Sequence, residues 1–294
     1  MDATPPGLSP DPGTGPHTLS FDVGGSNLKA GRLDAAGAFV GERVRVPTPR
    51  PSPPGVVLDL LVGMGEELRP FDRISLGFPG VVRGGVVLTA PNLGTPAWQG
   101  FDLAGALRDR LGAPVRMLND ATVQGLGVIA GRGVECVITL GTGFGFSLYD
   151  GGRLGAHLEM GQHIARGDKT YDRYVGAAAL AEVGRKRWRR RVRLVIEQIA
   201  VLTNFDALYI GGGNARLVDF ELPPGARLVS NKAGVTGGAK LWDPALDAAF
   251  AGRGGGGGGA PGDGTAEALG AVSDAASAPA PGASAQGAPS PVPA

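Results

Sequence analysis

Cysteine is nearly absent from this 294-residue chain: Cys136 stands alone, which excludes an internal disulfide and any multi-cysteine zinc site. Net charge is almost absent too. Against 28 Lys and Arg stand 27 Asp and Glu, giving +1, so no global field recruits nucleic acid or an anionic membrane. No apolar run approaches the ~18 residues of a membrane span, and no basic stretch followed by an apolar one opens the chain. Bulky apolar side chains are missing from residues 1–17 and from about 251 onward, where Gly, Ala, Ser and Pro dominate. Both ends (1–17 and 251–294) are therefore expected to be disordered. About 230 residues remain, enough for two compact domains of roughly 100 each. A soluble, cytoplasmic protein is expected, with its function in local sites.

What the chain has in quantity is glycine, 52 residues, and two glycine clusters share one design. In LSFDVGGSNLKA (Leu19 to Ala30) and VITLGTGFGFSLY (Val137 to Tyr149) an apolar strand enters a glycine turn and leaves as another strand. Glycine lets backbone N–H groups crowd toward an anion. Asp22, Ser26, Asn27, Lys29 and Thr142 add groups suited to phosphate oxygens and a metal's water shell. A Walker loop or a dinucleotide fingerprint would continue into a helix. Here each turn runs on as a strand to a second turn, at Asp34–Gly37 and at Asp150–Gly152, so both read as β-hairpins.

The rest alternates. A proline-rich crossing (Pro47 to Pro54) leads to a helix over Gly55–Leu68 and a buried strand over Arg73–Phe78, which ends at Pro79-Gly80. A hairpin over Val81–Ala90, a loop from Asn92 to Trp98, a helix over Leu103–Leu111 and a strand over Val115–Leu118 follow. The second half starts with a helix over Ala121–Ala130, has hairpins over Glu135–Leu154 and a long helix over Leu180–Leu202 with Trp188, Val192, Val195, Ile196, Ile199 and Leu202 on one face. It then has a strand over Phe205–Ile210 that stops at Gly211-Gly212-Gly213-Asn214. Ligands bind where strands of α/β sheets end, and Asp120, Thr142 and Gly211 sit at such ends.

Phosphoryl transfer needs held phosphates, a neutralising metal and a carboxylate near the acceptor hydroxyl. Asp120, after the apolar strand and Asn119, is the candidate base, or else a helix N-cap. Glu159 in HLEMGQH can accept from two neighbouring sugar hydroxyls, or stand as a solvated Glu. His157 and His163 are metal-ligand types, but no cysteine accompanies them. The run Arg185–Arg193 is either a helix with its arginines in water or a track for a polyanion.

Taken in order, FDVGGSNLKAG, GFPGVV, NLGTPAW, LNDA, LGTGFGFSLYDGG, LEMGQH and LYIGGGN resemble the ROK family of sugar kinases and related proteins, within the actin-like, hexokinase-like ATPase superfamily. Polyphosphate glucokinases and their relatives are the most similar branch. The resemblance implies an α/β, ribonuclease H-like fold of two domains, each a mixed five-stranded sheet with flanking helices. Residues 18–119 would form a phosphate-1 and sugar domain, and 120–250 a phosphate-2 and adenosine domain. It implies transfer of a terminal phosphoryl group from ATP or polyphosphate to a hexose 6-hydroxyl, as in glucokinase, with magnesium held through water by Asp22. Asp22, Gly24, Gly25, Ser26, Asn27, Lys29, Gly141, Thr142, Gly143 and Gly145 would hold phosphates. Gly211, Gly212 and Gly213 would approach adenosine, and Asp120 would be the base. Asn119, Glu159, Gln162, His163, Asn92 and Gly80 would bind the sugar. A homodimer is implied as well.

Two departures bear on the sugar. The family's Glu-x-Gly-His string reads Glu159-Met160-Gly161-Gln162 here, so glutamine replaces a sugar-contacting histidine unless His163 takes its place. The family's cysteine-rich zinc loop is missing, so no zinc is expected, and with it the acidic sugar ligand that often follows. These departures keep two other readings open: a sugar- or nucleotide-binding regulator with little turnover, and a superfamily kinase or ATPase with a non-sugar acceptor. Family repressors carry an N-terminal helix-turn-helix. Only a short Pro/Gly-rich stretch precedes the first strand here, so DNA binding is not expected.

Overall fold

Alternating apolar residues on either side of the first glycine turn make β1 (Thr18–Val23) and β2 (Asn27–Leu33), paired antiparallel, and β3 (Phe39–Pro47) continues the meander. Prolines 47 to 54 end it, and α1 (Pro54–Glu67) starts with proline in its first turn, where the missing N–H costs nothing. Strand β4 (Arg73–Phe78) then lies parallel to β1. A small hairpin of β5 (Val82–Arg83) and β6 (Val86–Val87), one helical turn α2 (Thr95–Trp98) and α3 (Leu103–Leu111) lead to β7 (Val115–Asn119). Helix α3 begins under the Asp102 carboxylate, which accepts from the Gly105 N–H, and ends at Gly112 with φ 70°. The first sheet has the order β3-β2-β1-β4-β7.

The second half repeats this plan. After α4 (Asp120–Leu126) come β8 (Val134–Leu140), β9 (Phe144–Asp150) and β10 (Arg153–Leu154). The small hairpin β11 (Ile164–Arg166) and β12 (Lys169–Thr170), then α5 (Tyr171–Val175), precede the long helix α6 (Ala177–Thr203). Strands β13 (Ala207–Gly211) and β14 (Ala226–Leu228) complete a sheet of order β10-β9-β8-β13-β14. This computed structural model describes residues 15–230 and 236–250, all within one compact unit. Of the expected disordered ends, 1–14 and 251–294 lie outside the described residues; His17 pairs through its backbone with Asp72.

Each sheet has its own apolar core. Leu19, Phe21, Leu76, Phe78 and Trp98 anchor one, and Cys136, Ile138, Trp188, Val192 and Ile210 the other. A third cluster, with Val123, Val137, Tyr149, Tyr209 and Leu241, forms around α4. Helix α4 touches both sheets because glycines remove the side chains between them. A Cβ on Gly77 of β4 would lie 3.3 Å from Asp120 Cα, and one on Gly145 of β9 would lie 2.8 Å from Ala121 Cβ. Residues Gly237–Trp242 return to the first sheet, where Ser75 Oγ donates to the Gly238 carbonyl at 2.7 Å.

Several elements differ from expectation for tertiary reasons. Helix α4 ends at Leu126 rather than near Ala130, because the N–H groups of Ala130, Gly131 and Arg132 all turn to the buried Glu135 carboxylate, at 2.6–3.0 Å. Helix α6 starts at Ala177 and breaks at Gly184, where φ is 72°. Its Leu202 is 66% exposed, since the last turn runs past the sheet that covers Trp188 to Ile199. The hairpin β11–β12 and helix α5 are additions that the sequence pattern does not announce.

Candidate functional site

The two glycine turns face each other across a cleft of about 850 Å³. Their nearest groups are hydroxyls, Ser26 Oγ and Thr142 Oγ1, 3.1 Å apart. In both turns the carbonyls are held by donors within the protein. At the first, Gly24 O accepts from Thr48 Oγ1 at 2.6 Å, Gly25 O from the Arg50 guanidinium at 2.7 Å and Ser26 O from Thr48 N at 3.1 Å. At the second, Gly141 O accepts from Asn214 Nδ2 at 3.2 Å, Thr142 O from Ala177 N at 3.1 Å and Gly143 O from Gly141 N at 3.1 Å. Fixing the acceptors this way removes repulsion that an anion entering the turn would otherwise meet.

The glycines serve different purposes. An added Cβ would meet nothing within 4 Å at Gly141 or Gly213, so these are the open approaches. Gly24 folds its own turn, with its N–H donating to Asn27 O at 3.0 Å. Gly143 makes room for the Asp172 carboxylate, and Gly145 for Thr139 and Ala121. Gly212 (φ 92°) lies against the Leu140 backbone. Gly211 is buried beside the Gln124 amide and does not line the cleft.

Asp120 opens α4 at the end of β7. The cap is Asn119: its Oδ1 accepts from Ala121 N at 3.0 Å and Thr122 N at 3.3 Å, and its Nδ2 reaches Gly80 O at 3.2 Å. The Asn119 side chain is thus hydrogen-bonded to the helix and to the Pro79-Gly80 corner, and Asn119, Gly80 and Asp120 all line the cleft. Gly80 packs on the backbone at Thr89, and Asn92 lines the cleft beside Gly25. Burial, then the nearby Asp22 carboxylate, pushes the Asp120 pKa up to about 7, against a smaller downward pull from the Ala121 N–H. Asp22 itself pairs with Lys29 at 2.7 Å.

On the opposite wall, Glu159 lines the cleft with His157, whose Nε2 lies 3.4 Å from Glu159 Oε2. Gln162 and His163 do not line it. Gln162 Nε2 donates to Asp172 Oδ2 at 2.9 Å, while the backbone of His163 pairs with Met160 and Tyr171. Asp172 is the residue the sequence reading missed. It accepts from Phe144 N at 2.6 Å, lines the cleft, and has its pKa raised, chiefly by burial. Its signal was local: Thr170 caps α5, which places Asp172 in the first turn. Gln124 was missed as well; it lines the cleft, and its Nε2 is buried without a partner among the described residues.

The arginine-rich run is largely committed to the fold. Arg191 is buried, stacks on Tyr174 and donates to its carbonyl at 3.1 Å. Arg189 donates to Leu217 O at 2.9 Å and pairs with Asp219. Of the two readings of Arg185–Arg193, the polyanion track would lack these two members, and the run lies outside the cleft lining. Magnesium typically uses one or two carboxylates plus substrate phosphates, keeping several waters. The facing carboxylates of Asp22 and Asp120 fit that donor set. Among the described residues no group of three His, Cys, Asp or Glu could hold a metal by itself.

Two sheets with matching hairpins, a helix wedged between them and a cleft bounded by both glycine turns define the actin-like, hexokinase-like ATPase fold. Known proteins narrow this. Residues 18–171 match the ROK family, and the chain belongs to that family. It is 30% identical over 261 residues to a polyphosphate glucokinase of Mycobacterium tuberculosis (strain ATCC 25177 / H37Ra), covering 81% of this chain and 97% of the relative. The inorganic polyphosphate/ATP-glucomannokinase of Arthrobacter sp. strain KM superposes with a TM-score of 0.70 at 29% identity, covering 76% of this chain and 97% of that one. A ROK family glucokinase of Streptomyces griseus, solved in complex with glucose and AMPPNP, superposes with a TM-score of 0.63 at 21% identity, covering 76% and 98%; at that identity the likeness speaks for the fold.

Proposed function

We propose that this chain is a sugar kinase of the glucokinase type, transferring a terminal phosphoryl group from ATP or polyphosphate to a hexose 6-hydroxyl. The observation that carries the reading is the convergence of the two glycine turns, 3.1 Å apart at Ser26 and Thr142, on a cleft that also holds Asp120. The names of the relatives support it. In this reading the donor's phosphates lie against Gly24 to Asn27, Lys29 and Gly141 to Gly143, and adenosine extends toward Gly212 and Gly213. Glu159 accepts from sugar hydroxyls, with Asp172 and His157 beside it. Asp120 orients the acceptor hydroxyl and takes its proton, and a pKa of about 7 makes it a better base than an ordinary carboxylate at neutral pH. Magnesium, bound through Asp22 with Asp120 nearby, supplies charge neutralisation on the phosphates.

Residues 18–119 and 120–250 act as two lobes in this proposal, the protein works in the cytoplasm, and it forms a homodimer. Among the described residues no helix is long and apolar enough to cross a membrane. The test is a coupled assay of the purified chain across hexoses, with ATP and then with polyphosphate. Hexose phosphate formed with at least one donor supports the reading; sugar binding without turnover would favour the regulator.

A further inference from the structure

A linear polyphosphate has no base to anchor it and presents one negative charge after another, so a protein that binds it needs a row of cations leading to the phosphate turns. The row does not lie on α6, where Arg189 and Arg191 are tied into the fold. It lies on β3, the edge strand of the first sheet. Arg43 and Arg45 are two residues apart, hence on one face and about 6.6 Å apart along the strand. Both line the cleft and both are exposed.

The geometry points to Arg43 and Arg45 as the binding track for a linear polyphosphate donor, with Arg50 bracing the first turn from outside the cleft lining. This rests on the phosphoryl-transfer reading above and names the route its longer donor takes. Arg45 stands beside Lys29 in the β2–β3 register, so the basic row runs from β3 to β2 and stops at Lys29, which pairs with Asp22 at the first turn. Arg45 Nε donates to Asn27 Oδ1 at 3.0 Å, and Arg50 holds Gly25 O at 2.7 Å. Each contact engages one nitrogen of a guanidinium and leaves others to meet phosphate. Arg43 stacks on Phe39, its Cζ 5.0 Å from the ring centroid, which steadies it while its edge stays accessible. Among the described residues none of the three arginines is in an ion pair with a carboxylate. The opposite wall, with Glu159 and Asp172, repels a polyanion and leaves β3 as its approach. Nucleoside triphosphate, whose phosphates end at the turns and whose base lies toward the second sheet, does not reach Arg43. Charged residues also protect edge strands from pairing with other chains, but that role would act on solubility and not on a donor.

The experiment compares wild type with Arg43→Gln/Arg45→Gln. Equilibrium binding of linear polyphosphate is followed across a salt series, and KM is measured for polyphosphate and for ATP with the same hexose. The double variant is expected to bind polyphosphate about tenfold more weakly, with a salt slope shallower by about 1 to 2. Its polyphosphate KM should rise far more than its ATP KM. Arg187→Gln/Arg190→Gln on α6 removes the same charge elsewhere and should leave polyphosphate binding as it was. Equal losses for the two donors, an unchanged salt slope, or the same loss in the α6 variant would overturn the track. So would turnover with ATP in a wild type that does not bind polyphosphate. If neither donor supports turnover, the kinase reading falls, while the binding series still decides whether β3 holds the polyanion.

Discussion

The two glycine hairpins are close structural copies with opposite surroundings. Each ties back its turn carbonyls and offers a hydroxyl to the other, yet the first is flanked by Arg45, Arg50 and the Lys29–Asp22 pair, and the second by Asp172 with Glu159 nearby. On the proposed reading both turns hold the donor's phosphates, and what differs is the border: basic side chains outside the first turn, carboxylates assigned to the sugar beside the second. Glycine pattern says where an anion turn is; the neighbours say which ligand each wall takes.

The largest test concerns the group between the walls. Asp120→Asn should lower kcat by on the order of 10²-fold or more, with the fold intact. In wild type, kcat/KM should fall about tenfold per pH unit below about 7 as Asp120 gains its proton, and the variant should lose that limb. Near-normal turnover would return Asp120 to a structural role, leaving the two walls without a base between them.

The hairpins themselves come next. Gly143→Val drives a side chain into Asp172, so donor KM should rise by on the order of tenfold and sugar KM should rise with it. Gly141→Ala meets open space and should raise donor KM a few-fold with sugar KM and Tm unchanged. If Gly143→Val affects the donor alone, Asp172 is not part of the sugar wall.

Smaller effects should follow from loosening the carbonyls. Thr48→Val at the first turn and Asn214→Ala at the second each remove one hydrogen bond, about 0.5–1.5 kcal/mol, and should raise donor KM roughly three- to tenfold. Donor kinetics that respond to one and ignore the other would show that only one hairpin touches the donor.

The remaining test is on stability. Asp120's folded pKa of about 7 lies above its ordinary 3.8, so the fold favours the protonated form. The relative stability present at acid pH is lost as pH rises through about 7. Thermal unfolding of Asp120→Asn, which carries no charge to desolvate, should equal wild type near pH 4 and lie at or above it at pH 8.

Much of this was legible in the sequence. The hairpins were, because each glycine cluster is flanked by alternating apolar strands with a second turn at the expected distance. Strand Arg73–Phe78 and helix Leu103–Leu111 kept their expected limits. What was hidden depends on contacts far apart in the chain. Glu135 draws three N–H groups away from the end of α4, and Asp172 meets Phe144 only after β9 and α5 come together. Arg191 looks like any solvated arginine until Tyr174 covers it. Asn119, expected at the sugar, caps the helix while lining the cleft, and Asp120, which could also have been the cap, faces the cleft beside it; adjacent residues with similar capping propensity are separated only by backbone direction.

Helix α4 can change over evolutionary time in only a narrow way. Gly77, Gly145 and Gly237 crowd it from outside, and its own Gly125 lies against the Tyr149 hydroxyl, so a methyl at Gly125, Gly145 or Gly237 would collide with a neighbour and one at Gly77 would press on the Asp120 backbone. On the proposed reading, changes in the β3 arginines or in the loop around Glu159 would alter donor and sugar preference while the seat of Asp120 stays fixed. Substrate preference and reaction chemistry would then sit on separately mutable parts of one cleft, so that new specificities could arise without the proposed base being rebuilt.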